Sequence, residues 1–437
     1  MNQTQNTDKK FCSKIFVDRI KDRQIEIHEW LASHETSKEL PLYSSTDIRD
    51  AGFKIAVIDT NLFPAGFNNL CEHGIEDSIK FLRRAVLQRV PKCRDILIVA
   101  EEHTRNTWYL ENIRILQQII EQAGFNVKIA TFFFIQPSFC ETANYIELET
   151  ATHNPVRIFC FKKILANLKA GLINCDLVIL NNDLTTGIPD VLKEMNVPIY
   201  PSIQAGWHSR LKSHHFQYTA ELMEEFGKII GMDPWLFSSL FSFVENVDIN
   251  VEADQKKLGQ AASELFKRIT QKYIEHKIDE KPFIFVKSDS GTYGMGVAAI
   301  EDPSDLIHLN RRDRNKLYKG KGSQVIHRYL LQEGVPTIHS IENDVSEVCI
   351  YQIENNLVGG FYRSHGQKTG RENLNSQGMD FKKMCPHLKK YGDCGVNHNM
   401  NVFDIYRILA RIAGIAAHRE IVQLERQLTL STPPFKN

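Results

Sequence analysis

The sequence predicts an α/β protein in four parts. An N-terminal extension at 1–44 precedes a parallel α/β substrate domain at 45–202, a mainly helical section at 203–281, and a largely antiparallel nucleotide-binding region with a C-terminal helix at 282–437. Three observations predict it. Up to about residue 200, short β-branched runs alternate with helical stretches, as in a parallel sheet with crossover helices. From 203 the pattern turns helical, in YTAELMEEFGKII and KLGQAASELFKRITQKYIEH. After 282, SEVCIYQIENNLVGGFYRSH reads as two strands around a turn at Glu354 to Asn356.

In the first region the strand candidates are FKIAVIDT at 53, RDILIVA at 94, FNVKIATFFF at 125, CDLVILNN at 175 and VPIYPS at 197. Between the second and third, Tyr109, Ile113, Leu116 and Ile120 share one helical face, and Gly124 is placed to end that helix, giving a β-α-β unit. Ligands of open α/β sheets bind outside the carboxyl ends of the strands. Three strands run into polar clusters there: DTNLFPAGFNN, EEHTRN and NNDLTTG. Capping and turn chemistry accounts for many of these residues. Arg105 is harder to explain that way and is a candidate for a carboxylate ligand.

Composition narrows the partners. Lys plus Arg and Asp plus Glu balance at 53 each, so no net field favours nucleic acid or an anionic membrane. Apolar runs such as ILIVA are too short to span a bilayer, and the N-terminus lacks an apolar signal core, so a soluble cytoplasmic protein is expected, with disorder confined to MNQTQNTDKK and STPPFKN. The nine cysteines, an odd number without a CxxC pair, fit reduced thiols better than a disulfide framework. The spacing of Cys385, His387, Cys394 and His398 is poor for a metal. In GWHSRLKSHHF, Arg210, Lys212 and three histidines make a cationic surface facing an anionic ligand or a solvated basic face, ahead of a zinc site, for which adjacent histidines cannot easily share one helical face and no carboxylate completes the ligand set.

The stretch FIFVKSDSGTYGMGV carries the chemistry. Successive amides of a glycine-rich turn can form a nest for phosphate oxygens, and Lys287 at the end of its strand reaches a phosphate as a point charge. Neither GxxxxGK[ST] nor GxGxxG occurs, which excludes the Walker A and Rossmann fingerprints. Downstream, Arg363, His365, Lys368 and Arg371 stand beside Asn373 and Asn375, the cations and oxygen donors that phosphoryl transfer with magnesium requires. A solvated hairpin tip is the alternative.

Together NLFPAGFNN, EEHTRN, GWHSRLKSHHF, VKSDSGTYGMGV, QEGVPT, VGGFYRSH and RENLNSQGM resemble an ATP-grasp-like enzyme, specifically the glutamate-cysteine ligase of the minor proteobacterial type, over about residues 50 to 420. The resemblance implies ATP-dependent joining of the L-glutamate γ-carboxylate to L-cysteine through an acyl phosphate, the first step of glutathione synthesis, with Mg2+. It implies that Lys287, and Lys212 as a second lysine, contact ATP phosphates, and that the amides of Gly291, Tyr293, Gly294, Met295 and Gly296 close over them. Gln332, Glu333 and Val335 would receive adenine through backbone groups. Arg363 and Arg371 would face the transferring phosphate, Asn61, Arg105 and Asn182 would hold substrate, and Glu347, Asn373 and Asn375 would bind the metal. Related glutathione synthetases carry an acid-x-Asn metal pair on a late strand, and no equivalent stands before the C-terminal helix. The competing readings are another ATP-grasp carboxylate-amine ligase, such as a glutathione synthetase, and a non-catalytic nucleotide-binding regulator.

Overall fold

The computed structural model describes residues 5–35, 40–102, 105–132, 144–291, 296–318, 325–385 and 401–431. Their strands form three sheets. The parallel one contains β3 (Asp95–Ala100), β4 (Asn126–Thr131), β6 (Pro155–Cys160), β7 (Leu177–Asn181) and β8 (Ile199–Tyr200), in the order β5-β6-β4-β3-β7-β8, with β5 (Tyr145–Glu149) antiparallel at its edge. The crossover helix Thr107–Gln122 between β3 and β4 buries Tyr109, Ile113, Leu116 and Ile120. Asn106 caps it by accepting the Tyr109 N–H at 3.1 Å, and Gly124 follows its end at φ +93°, the left-handed conformation glycine adopts without steric cost.

FKIAVIDT departs from the expectation. It forms β2 (Ile55–Asn61), which pairs antiparallel with β1 (Tyr43–Asp50), and β1 pairs antiparallel with β14 (Asp344–Ile353). The sheet runs β16-β15-β14-β1-β2, with β15 at Asn356–His365 and β16 at Asp380–Lys383, and β13 (Ser340–Ile341) pairs with β14 beside it. Strands from both ends of the chain thus share one sheet. The expected hairpin is β14–β15, closing at Ile353 opposite Asn356. A four-stranded antiparallel sheet, β11-β10-β12-β9, comprises β9 (Phe241–Val244), β10 (Ile284–Ser288), β11 (Ala298–Ile300) and β12 (Tyr329–Glu333). The expected central helices are Lys212–Ile230 and Glu252–Glu275.

One face of the β16-to-β2 sheet is covered by the C-terminal helix Val402–Ser431, with Ile48, Val57, Val348 and Ile350 packed in one core with Ile405, Leu409, Ile412 and Ala416. The helix Gln5–Asp22 starts within MNQTQNTDKK, expected to be disordered. Phe16 and Ile20 pin it into that same core, followed by Ile27 and Leu31 of the helix Gln24–His34. No helix among the described residues is long and apolar enough to cross a membrane.

The cysteines also differ from expectation. Cys71, which starts the helix Glu72–Arg89, pairs with Cys385 after β16 as a disulfide, their Cα atoms 6.3 Å apart. The 314 residues separating them hid the pair from the sequence. Cys93, Cys175 and Cys349 are free thiols.

Candidate functional site

A cleft is lined from both antiparallel sheets. Asp47 and Arg49 of β1, Asp59 of β2, Glu347 of β14 and Arg363 of β15 reach it from one, and Phe285 and Lys287 of β10 with Gln332 and Glu333 of β12 from the other. Lys212, Gly291, Asn373 and Asn375 also line it, with Ile58, Ser288 and Val297. Strand alternation explains the side-chain set: Asp47 and Arg49 point into the cleft while Ile48 between them packs under the C-terminal helix.

Lysines and carboxylates are interleaved there. Lys212 Nζ donates to Asp59 Oδ1 at 2.5 Å, and Lys287 Nζ donates to the Ile58 carbonyl at 3.1 Å. Burial would raise the Asp59 carboxyl, but Lys212 and Lys287 hold it well below the usual carboxylate range. Desolvation in the cleft brings the Lys287 ammonium down to about 8, with Asp59 working against the shift. Arg363 Nη1 donates to Asp47 Oδ2 at 2.9 Å and to Glu347 Oε1 at 2.6 Å. Burial raises the Asp47 carboxyl despite Arg363. For Glu347, Arg49 and Arg363 outweigh burial and lower it.

Lys212 is the first residue of its helix, and the loop following β10 sets its backbone. Its N–H donates to the Asp289 carbonyl at 2.7 Å, while the fully buried Asp289 carboxylate accepts the Ser213 N–H and Oγ, each at 2.7 Å, and Arg328 Nε. Arg210 pairs with Glu420 at 2.9 Å and donates to the Thr60 carbonyl at 2.8 Å. Arg210 and Lys212 are both buried, so this segment is not a solvated basic face.

Of the residues singled out in the sequence, Lys212, Lys287, Gly291, Gln332, Glu333, Glu347, Arg363, Asn373 and Asn375 line this cleft. Tyr293, Gly294 and Met295 lie outside the described residues. Gly296 is buried at φ +65°. The Glu333 carboxylate is committed to Lys54 at 2.9 Å, Trp235 Nε1 at 3.1 Å and the Leu240 N–H at 2.9 Å. Val335 is buried, and its carbonyl accepts from Arg49. Arg371 lies over the Phe283 ring and pairs with Glu301 at 3.2 Å, away from the lining. Asn61 ends β2 two positions after Asp59. Arg105 is exposed, and Asn182 is buried, its amide engaged by the Ala100 carbonyl and the Leu184 N–H.

The donors suit a hard divalent cation. Asp47, Asp59 and Glu347 place three carboxylates on the cleft with the Asn373 and Asn375 amides. Glu347 and Asp59 also press the Asp47 carboxyl upward, the mutual repulsion that a cation relieves. Asp59-Thr60-Asn61 supplies an acid-x-Asn pair, early in the chain yet inside the same sheet as Glu347. In this structure Lys212, Arg49 and Arg363 already pair these cleft carboxylates, and among the described residues it is Asp233, Glu275 and His276 whose ligand atoms gather closely, with the Lys272 ammonium 2.8 Å from Asp233 and 3.0 Å from Glu275.

Sequence reasoning missed Asp47 and Arg49. It quoted Asp59 without assigning it a role, because it sought the acid-x-Asn pair late in the chain. The signal that finds them is that β1 lies between β14 and β2 and pairs with both.

A family model described as glutamate-cysteine ligase matches residues 17–421. Among solved structures, a candidate gamma-glutamylcysteine synthetase from Methylobacillus flagellatus KT is 32% identical, with a TM-score of 0.80 over 93% of this chain and 96% of that one. D-alanyl-alanine synthetase A from Vibrio cholerae O1 biovar eltor is 11% identical, with a TM-score of 0.33 over 73% of this chain and 81% of that one. A glutathione synthetase-like effector from Globodera pallida is 9% identical, with a TM-score of 0.36 over 85% and 86%. Comparison with the curated proteins gives no match.

Proposed function

The chain belongs to the glutamate-cysteine ligase family, and from that premise we propose how its cleft performs the ATP-dependent ligation of L-glutamate to L-cysteine. The observation that carries the reading is the convergence of Lys212, Lys287 and Arg363 with Asp47, Asp59 and Glu347 in one cleft. A carboxylate is a poor acyl donor, so the γ-carboxylate of glutamate is first phosphorylated by ATP, and the cysteine amine then displaces phosphate. No side-chain nucleophile is needed; positioning and charge stabilisation supply the catalysis.

In this ATP-grasp-like arrangement Lys287 and Lys212 neutralise the ATP phosphates, with Gly291 on the cleft wall beside them. The segment from Gln332 to Val335 receives the adenine through backbone groups. Arg363 stabilises the charge that develops on the transferring phosphoryl group. Asp47, Asp59 and Glu347, with Asn373 and Asn375, would hold Mg2+, which would supply charge neutralisation at the ATP phosphates. Arg105, Asn61 and Asn182 remain the proposed amino-acid contacts, and Arg371 a second cation for the acyl phosphate. A cytoplasmic location belongs to the same proposal.

ADP release tests the reading. Turnover is expected with glutamate plus cysteine and absent with γ-glutamylcysteine plus glycine, and Lys287→Ala is expected to weaken ATP binding. The absence of cysteine-dependent turnover, or unchanged ATP affinity in Lys287→Ala, would contradict it.

A further inference from the structure

Arg49 is 1% exposed at the floor of the cleft, and its guanidinium bonds three separate parts of the site. Nε donates to Glu347 Oε2 at 2.7 Å. Nη1 donates to the carbonyls of Val335 at 3.2 Å and Gly370 at 3.1 Å, and Nη2 to the carbonyl of Glu372 at 2.7 Å. These partners are the carboxylate beside Arg363, the segment just beyond β12, and the loop that brings Asn373 and Asn375 to the cleft.

Four of the five guanidinium donors of Arg49 are engaged by protein groups, so its contribution is mainly geometric. The Gly370 carbonyl also accepts the Thr337 N–H at 3.1 Å, and a Cβ on Gly370 would meet the Thr337 carbonyl oxygen at 2.5 Å. The loop is therefore seated by close backbone contact on one side and by Arg49 on the other.

We propose that Arg49 is a positioning residue for phosphoryl transfer, fixing Glu347, the adenine-facing segment and the Asn373/Asn375 loop in one geometry. The inference rests on the cleft being the nucleotide and metal site. A lysine keeps the charge but cannot reproduce four bonds in three directions. Displacement of about 1 Å at such a site costs on the order of 100-fold in rate, and loss of a group orienting a metal ligand costs about 10–100-fold in metal affinity.

The test is Arg49→Lys in the full chain, measured by ADP release against Mg2+ and by thermal unfolding. The expected result is a kcat lower by about 100-fold and an Mg2+ activation midpoint higher by about tenfold, with the KM for cysteine nearly unchanged. A role only in stability would lower the folded fraction and leave the Mg2+ midpoint in place. Gly370→Ala is the second variant: it displaces the loop that carries Asn373 and Asn375 while leaving the Arg49–Glu347 bond, so kcat falls by about tenfold or more and the Mg2+ midpoint rises with it.

A folded Arg49→Lys enzyme with wild-type kcat and Mg2+ midpoint overturns the proposal. If that variant does not fold, Gly370→Ala with wild-type kcat overturns it. Lys287→Ala separates the two levels: unaltered ATP affinity there would defeat the nucleotide-site reading itself, whereas weakened ATP binding beside a wild-type Arg49→Lys would defeat the positioning role alone.

Discussion

Asp47 and Asp59 stand directly opposite each other across β1 and β2, and each meets a different cation, Arg363 for Asp47 and Lys212 for Asp59. Two carboxylates at this spacing are held together by the basic groups around them.

Asp59→Asn removes the negative charge between Lys212 and Lys287. Because the folded-state pKa of Asp59 is depressed, its stabilisation is present above the ordinary aspartate range and lost as pH falls through and below it. The variant is expected to lose on the order of 2 kcal/mol at pH 7, with the gap to wild type shrinking in acid. Urea unfolding at neutral and acidic pH checks this, and a pH-independent gap would contradict it.

The Lys287 ammonium, brought down to about 8, must be charged to meet phosphate. kcat/KM for ATP reports free-enzyme ionisations, so it is expected to fall as pH rises through about 8. Lys54 is also brought down to about 8, but its ammonium is buried against Glu333 and away from the lining. Lys287→Arg therefore separates the two: the alkaline fall should move to higher pH in that variant, and a fall that stays in place would assign it elsewhere.

The parallel sheet was legible because β3 and β7 are buried apolar runs and β4 and β8 fall within short apolar stretches bounded by turn residues, and the β14–β15 hairpin because its turn breaks two such runs. β1 was not. YSSTDIRD is polar almost throughout, yet all eight of its residues are buried. Flanked by β2 and β14, it turns Asp47 and Arg49 to the cleft and Ile48 to the C-terminal helix, so its composition follows the site rather than a hydrophobic period. β2 was legible as a strand but not as to its sheet, since that depends on β1 pairing with β14, some three hundred residues away in the chain. The lysines of the site were found because each stands beside a local signal, a glycine cluster or a run of cations. Asp47 and Arg49 have no such neighbour.

Glu333 lines the cleft, but its carboxylate bonds Lys54, Trp235 and Leu240. Glu333→Gln leaves the buried Lys54 ammonium without its counter-charge, a loss of about 3–5 kcal/mol. Unfolding should therefore shift strongly while the KM for ATP, measured below the unfolding range, changes by no more than a few-fold. A large rise in that KM with unchanged stability would mean that the carboxylate meets the nucleotide.

Arg363 separates charge from geometry. It stands opposite Glu347 in the β14–β15 register and also bonds Asp47, so Arg363→Ala leaves two buried carboxylates without their shared cation. That variant is expected to lose about 3–5 kcal/mol, and its inactivity alone would say little about catalysis. Arg363→Lys keeps the cation and hence most of the stability. It gives up the fork that reaches Asp47 and Glu347 together, and with it the fixed donor directions at the transferring phosphoryl group. Removing one such preorganised donor costs about 100- to 1,000-fold in kcat. Urea unfolding and single-turnover ADP formation on the same preparation check both halves. A lysine variant that is stable and turns over within about threefold of wild type, far short of that loss, would reduce Arg363 to a structural counter-ion of Asp47 and Glu347.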